Sequence, residues 1–154
     1  MDTEKGVLLL GYAMRKYFYH LQYIYTDLNN DNHYFLIGYF STLNKSNEAI
    51  KLVENKPGFK NSGGSFEITK LCVNFDKNIY EKSGIILYEA SHEYLDSDGY
   101  DNVTIFGIYS SYEEAKKKQD EYFVTSPYNE YPDGFCIAEC KVDLIGWMEG
   151  FSSW

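Results

Sequence analysis

An internal repeat constrains this chain more than any single motif does. Sliding the sequence past itself by 69 residues aligns residues 19–74 with 88–143 without a gap. Tyr19 meets Tyr88, Tyr25 meets Tyr94, Asp27 meets Asp96, Gly38 meets Gly107 and Ser41 meets Ser110. Phe66, Ile68 and Val73 meet Phe135, Ile137 and Val142. Identities are sparse, but the apolar pattern, the glycine and the turn positions keep one register.

Each copy reads as the same series of elements. Aromatic and β-branched runs predict first strands over Tyr17–Thr26 and Ile85–Tyr94. Asn/Asp/Gly turn chemistry follows at Asp27–Asn32 and Asp96–Asn102, then second strands at His33–Ser41 and Val103–Ser110. Helices are expected near Leu43–Asn55 and Tyr112–Val124, with Pro57 and Pro127 as their stops, and third strands over Phe66–Asn74 and Phe135–Asp143. The expected fold class is therefore α+β: a tandem duplication of a β-β-α-β unit, rich in antiparallel pairing, with two helices. Residues 1–16 read as an N-terminal extension, 17–83 as the first repeat with an Asp76–Ser83 linker, and 84–154 as the second repeat with a tail. The units can merge into one sheet with both helices on one face, or form two sheets packed back to back; the sequence does not choose.

The helices carry local signals. Ser111 and Glu114 make an S-x-x-E capping box, worth about 1 kcal/mol. Glu113–Lys117 and Glu114–Lys118 are spaced as i,i+4 pairs, each worth ~0.2–0.5 kcal/mol. The inner faces are expected at Leu43, Ser46, Ala49, Ile50 and Val53, and at Tyr112, Ala115, Gln119, Tyr122 and Phe123.

Charge divides the copies. Residues 17–74 carry five Lys against five Asp/Glu, whereas residues 85–143 carry four Lys against thirteen Asp/Glu. The second copy therefore accounts for the whole net charge of −9. That balance disfavours nucleic acid and anionic membrane as partners, since both recruit basic patches. With 16 Tyr and 10 Phe, the chain is also rich in rings that suit half-buried strands and protein interfaces. In a β-β-α-β unit the hairpin loop and the helix-to-strand loop fall at the same end. In copy two those loops hold Asp96, Asp98, Tyr100 and Asp101, and Tyr128, Glu130, Tyr131 and Asp133. They are the candidate protein-binding residues, an acidic surface with aromatic anchors for a basic partner. The matching stretch of copy one, Lys60–Ser65, has no such character, and solvated turns are the plain alternative for both.

Other chemistries find little support. Asp96-x-Asp98-Gly99-x-Asp101 resembles a calcium loop, but an EF-hand needs Gly at its sixth position and Glu at its twelfth, where Asp101 and Gly107 stand. His20, His33 and His92 form no ligand or catalytic spacing, and Ser62-Gly63-Gly64-Ser65 lacks the lysine of a phosphate loop. The three cysteines, Cys72, Cys136 and Cys140, are too few and too odd in number for a disulfide framework, and read as buried strand thiols in a reducing compartment. Val7–Met14 is apolar but too short to span a bilayer, and no basic segment precedes it. A cytoplasmic, non-enzymatic protein without cofactor or metal is the expectation.

The second copy also resembles a family of short bacterial domains with no assigned activity. His92-Glu93-Tyr94, Phe106–Ser111, Glu113-Glu114-Ala115, Asp133–Ile137 and Trp147–Phe151 carry the likeness, which covers residues 85–151 well and 17–74 weakly. Small, acidic, often duplicated α+β proteins of this kind are similar to the immunity proteins of bacterial toxin systems. The resemblance implies a toxin-neutralising binding protein; a self-associating module and an enzyme with a dispersed site are the alternatives.

Overall fold

A computed structural model describes residues 14–75 and 84–146. Among the described residues the apolar alternation read from the sequence forms six strands in two separate three-stranded sheets. The architecture is α+β with antiparallel sheets and two similar β-β-α-β-like units. By contacts the described residues divide into one unit of residues 16–72 with 141–146, and another of residues 14–15, 73–75 and 84–140. These compact units do not follow the repeat boundaries, because the end of each repeat joins the other unit. The segments 1–13, 76–83 and 147–154, which include most of the extension, the linker and Trp147–Phe151, lie outside the described residues.

In the first unit β1 (Met14–Thr26) lies between β2 (Asn32–Phe40) and β3 (Ser65–Phe75). It therefore begins inside the stretch read as an extension. The β1–β2 register runs from Tyr19↔Phe40 to Thr26↔Asn32, with one irregularity between Leu21 and Gln22. Helix α1 (Leu43–Val53) starts at Thr42, whose side chain accepts the Lys45 N–H at 3.1 Å. Its buried Ala49 and Val53 pack with Leu21, Tyr23, Ile37, Phe40 and Phe59. Burying a large apolar side chain of this kind contributes roughly 1.5–3 kcal/mol. Leu43, expected on the inner face, is instead 48% exposed.

Pro57 corrects a second expectation. Helix α1 has already ended at Val53, and Pro57 opens a short helix, α2 (Pro57–Lys60). Its fixed φ and missing N–H suit a first helical turn. Past Lys141 the chain completes the unit: the Asp143 N–H donates to the Tyr39 carbonyl at 2.8 Å, and the Gly146 N–H to that of Ile37 at 2.7 Å. The Asp143 carboxylate accepts from the Ser41 N–H (2.7 Å), the Ser41 hydroxyl (2.8 Å) and Lys45 Nζ (3.0 Å). Burial alone would raise this carboxyl, but the Ser41 donors and Lys45 outweigh it and hold it below the ordinary range.

The second unit repeats the plan. Strand β4 (Ile86–Leu95) lies between β5 (Asp101–Tyr109) and β6 (Phe135–Lys141). The β4–β5 register runs from Tyr88↔Tyr109 to Leu95↔Asp101, and its irregularity, between Ala90 and Ser91, sits 69 residues after that of the first unit. Strand β6 stops at Lys141, short of the expected Asp143, which adopts a left-handed φ of 65°.

Helix α3 (Tyr112–Tyr122) begins at Ser111, whose hydroxyl accepts the Glu114 N–H at 3.2 Å as the capping box predicts. Ala115 and Gln119 are buried, but Tyr112 and Phe123 are half exposed, so the inner stripe is narrower than expected. Gln119 spans the helix–sheet contact, its Nε2 donating to the Ser91 (3.3 Å) and Cys136 (2.6 Å) carbonyls. The ion pairs also differ from those expected, joining Lys116 to Asp120 (3.2 Å) and Lys118 to Glu121 (3.1 Å). All are well-solvated pairs, whose small energies leave the choice of partner open.

The cysteines lie on strands as expected but are not buried as expected: Cys72 and Cys136 are exposed and Cys140 is partly buried. Burial, and then the nearby Glu89 carboxylate, push the Cys140 thiol up to about 11, so it stays protonated near neutrality. Among the described residues no helix is long and apolar enough to cross a membrane.

Candidate functional site

Each unit encloses a three-ring cluster between helix and sheet. In the first, Tyr23 meets Phe59 edge-on at 5.0 Å and Phe66 at 5.0 Å. In the second, His92 meets Tyr128 at 5.0 Å and Phe135 at 4.6 Å, also edge-on. The three positions are related by the 69-residue shift. Tyr128, a candidate surface anchor on sequence grounds, thus belongs to this cluster, packing on Phe106 at 5.2 Å and Tyr122 at 5.5 Å. An aromatic in the matching position of copy one, Phe59, was the signal for that role.

His92 fixes the helix-to-strand loop. It is fully buried, and its Nε2 donates to the Tyr131 carbonyl at 2.8 Å. That loop continues through two short 3-10 turns, Tyr128–Glu130 and Pro132–Gly134. Gly134 then passes so close to β4 that a Cβ there would strike the Glu93 carbonyl oxygen and the His92 ring. The Tyr131 ring stacks on Tyr94 with centroids 4.3 Å apart and planes inclined by 21°.

The resulting groove has Glu93, Tyr94 and Leu95 on one wall and residues 130–134 on the other. Three carboxylates, Glu93, Glu130 and Asp133, line it, with no Lys or Arg among the lining residues. The loop is therefore placed at the end of β4 from which the 96–100 hairpin departs. Glu93 was not among the candidate residues; its place on the last turn of strand before an acidic hairpin was the available signal.

The hairpin divides its acidic residues by role. Asp96 Oδ1 accepts the N–H groups of Asp98 and Tyr100, both at 3.0 Å, and Oδ2 accepts Asn102 Nδ2 at 3.1 Å. The Tyr100 N–H above all, and then Asn102, hold the Asp96 carboxyl below its ordinary range. Asp96 is thus spent on shaping the turn, in which Gly99 takes a φ of +83°. Asp98, Tyr100 and Asp101 remain exposed, Tyr100 by 69%. The first hairpin copies the device: Asp27 Oδ1 accepts from Asn29 (2.9 Å) and Asp31 (3.0 Å), and Oδ2 meets His33 Nε2 at 2.9 Å. A carboxylate that ties its own loop accounts for the calcium-like spacing. Among the described residues no three His, Cys, Asp or Glu side chains converge to hold a metal.

No family model, curated protein or solved structure matches this chain.

Proposed function

We propose that the protein is a non-enzymatic acidic binding protein that neutralises a bacterial toxin domain by covering a basic surface, as an immunity protein does. The observation that carries this reading is the groove: stacked Tyr94 and Tyr131 bordered by Glu93, Glu130 and Asp133, with Asp98, Tyr100 and Asp101 exposed on the adjoining hairpin. Rigid rings supply contact area at low entropic cost, and carboxylates of one sign steer a basic partner and exclude acidic ones. The location is apt, because the second repeat holds the whole charge excess while the first is neutral. A cytoplasmic site of action fits a protein that protects its own cell. Occlusion would use an interface of roughly 1,200–2,000 Å².

The test looks for a large secreted protein with a variable, toxic C-terminal domain encoded directly upstream, and expresses that domain with and without this chain. Co-expression of the chain is expected to restore growth. The triple variant Glu93→Gln, Glu130→Gln, Asp133→Asn is expected to slow association about tenfold or more at low salt and to flatten its salt dependence. Unchanged association kinetics in that variant would remove the groove from the interface, and absence of binding would remove the reading.

A further inference from the structure

Helix α3 covers one face of the β5-β4-β6 sheet, and strand alternation sends the intervening side chains to the other. On that outer face Leu95, Val103 and Ile105 are 62%, 60% and 56% exposed. The register sets Glu93 directly opposite Val103, and Asp101 opposite Leu95. Opposed residues on one face lie about 4.5–5.5 Å apart at Cβ, so each carboxylate borders an aliphatic side chain. The corresponding face of the first unit pairs Ile24 with Tyr34, Gln22 with Leu36 and Thr26 with Asn32, which brings no carboxylate onto these two strands.

We propose that this face of the second unit is a docking surface for a basic segment of a partner protein. Its Arg or Lys stems would lie along Val103 and Ile105, and their charged ends would reach Glu93 and Asp101. Lys and Arg are built for such a surface, since each joins an apolar stem to a cationic tip. A second copy of this chain fits worse: a two-fold contact through the face would oppose Glu93 and Asp101 to the same acidic residues. Glu93 and Leu95 also wall the acidic groove, so face and groove form one continuous surface. The inference rests on the binding reading above and gives it a chemistry of recognition.

The probe is a short peptide alternating Arg and Val, titrated into the full ¹⁵N-labelled chain while amide shifts are followed. Shifts are expected at residues 93, 95, 101, 103 and 105. Val103→Lys, an exposed substitution, is expected to weaken binding about tenfold, and Glu93→Gln with Asp101→Asn to flatten the salt dependence, each variant keeping the wild-type spectrum elsewhere. Shifts confined to residues 96–100 and 130–134 would overturn the face while leaving the groove as a binding site. No shift anywhere on the second unit below about 0.15 M salt would overturn both. A wild-type dimer in light scattering that Val103→Lys dissociates would overturn the basic partner in favour of a second copy.

Discussion

In the first repeat the ring at the centre of the buried cluster is Tyr23; in the second, the equivalent ring is His92. The Tyr23 hydroxyl donates to the Phe59 carbonyl (2.9 Å), accepts the Gly64 N–H (2.9 Å) and also meets the Ser62 hydroxyl. Among the described residues His92 makes one bond, to the Tyr131 carbonyl, and its buried Nδ1 has no partner. Both solve the same problem, anchoring the helix-to-strand connection to the central strand. The tyrosine does so with its polar atom satisfied. The histidine leaves a lone pair unmet and reaches farther along the loop, to Tyr131 rather than to the Tyr128 that corresponds to Phe59. The difference shows how a duplicated scaffold can hold its packing while one copy re-aims a loop, here the loop that brings Tyr131, Glu130 and Asp133 to the groove.

The largest expected effect tests whether the two clusters are the same device. A Cβ at Gly64 would strike the Ile24 carbonyl and the Tyr23 ring, as one at Gly134 would strike those of Glu93 and His92. Gly64→Ala and Gly134→Ala are each expected to cost about 2–3 kcal/mol in urea unfolding. A large loss at one site and none at the other would break the equivalence. Next come the central rings themselves. Tyr23→Phe removes a hydroxyl that satisfies a backbone N–H and is expected to cost about 1–3 kcal/mol. His92→Phe removes one bond but also the unmet Nδ1, so its cost is expected to stay within about 1 kcal/mol. Equal losses would mean that the unpaired nitrogen carries no penalty.

The smallest effect concerns the tail that completes the first unit. Asp143→Asn removes the charge facing Lys45, at an expected cost of ~1 kcal/mol near neutrality. Because the folded carboxyl is held below its ordinary value, its contribution is present above the unfolded value and fades as pH falls through the folded one. The difference between wild type and variant is therefore expected to close below about pH 4 in thermal unfolding. Asn74, at the equivalent position of the first repeat, carries no charge, and Asn74→Ala is expected to show no such pH dependence.

Much of the fold was legible because its signals are local. Alternation with period two marked all six strands to within a few residues, Ser111-x-x-Glu114 marked the start of α3, and the Asx-rich turns marked both hairpins. Legibility ended where a neighbour distant in sequence decides. The inner stripe of α3 narrowed to Ala115, Gln119 and Tyr122, with Tyr112 and Phe123 left half exposed, a division that depends on the sheet beneath rather than on the helix's own spacing. Tyr128 turned inward because Phe106, Tyr122 and Phe135 surround it. Glu93 entered the groove only through the loop that packs against it.

The sequence by itself determined the duplication, the α+β class, the element order and the uneven charge, since residue spacing and composition encode these one window at a time. Tertiary structure alone decided that the strands form two sheets, that residues 141–146 close the edge of β2 rather than extending β6, and that Tyr131 comes to rest on Tyr94. The reason is physical: an exposed strand edge or ring face accepts any segment of matching shape, and which segment arrives depends on the whole path of the chain.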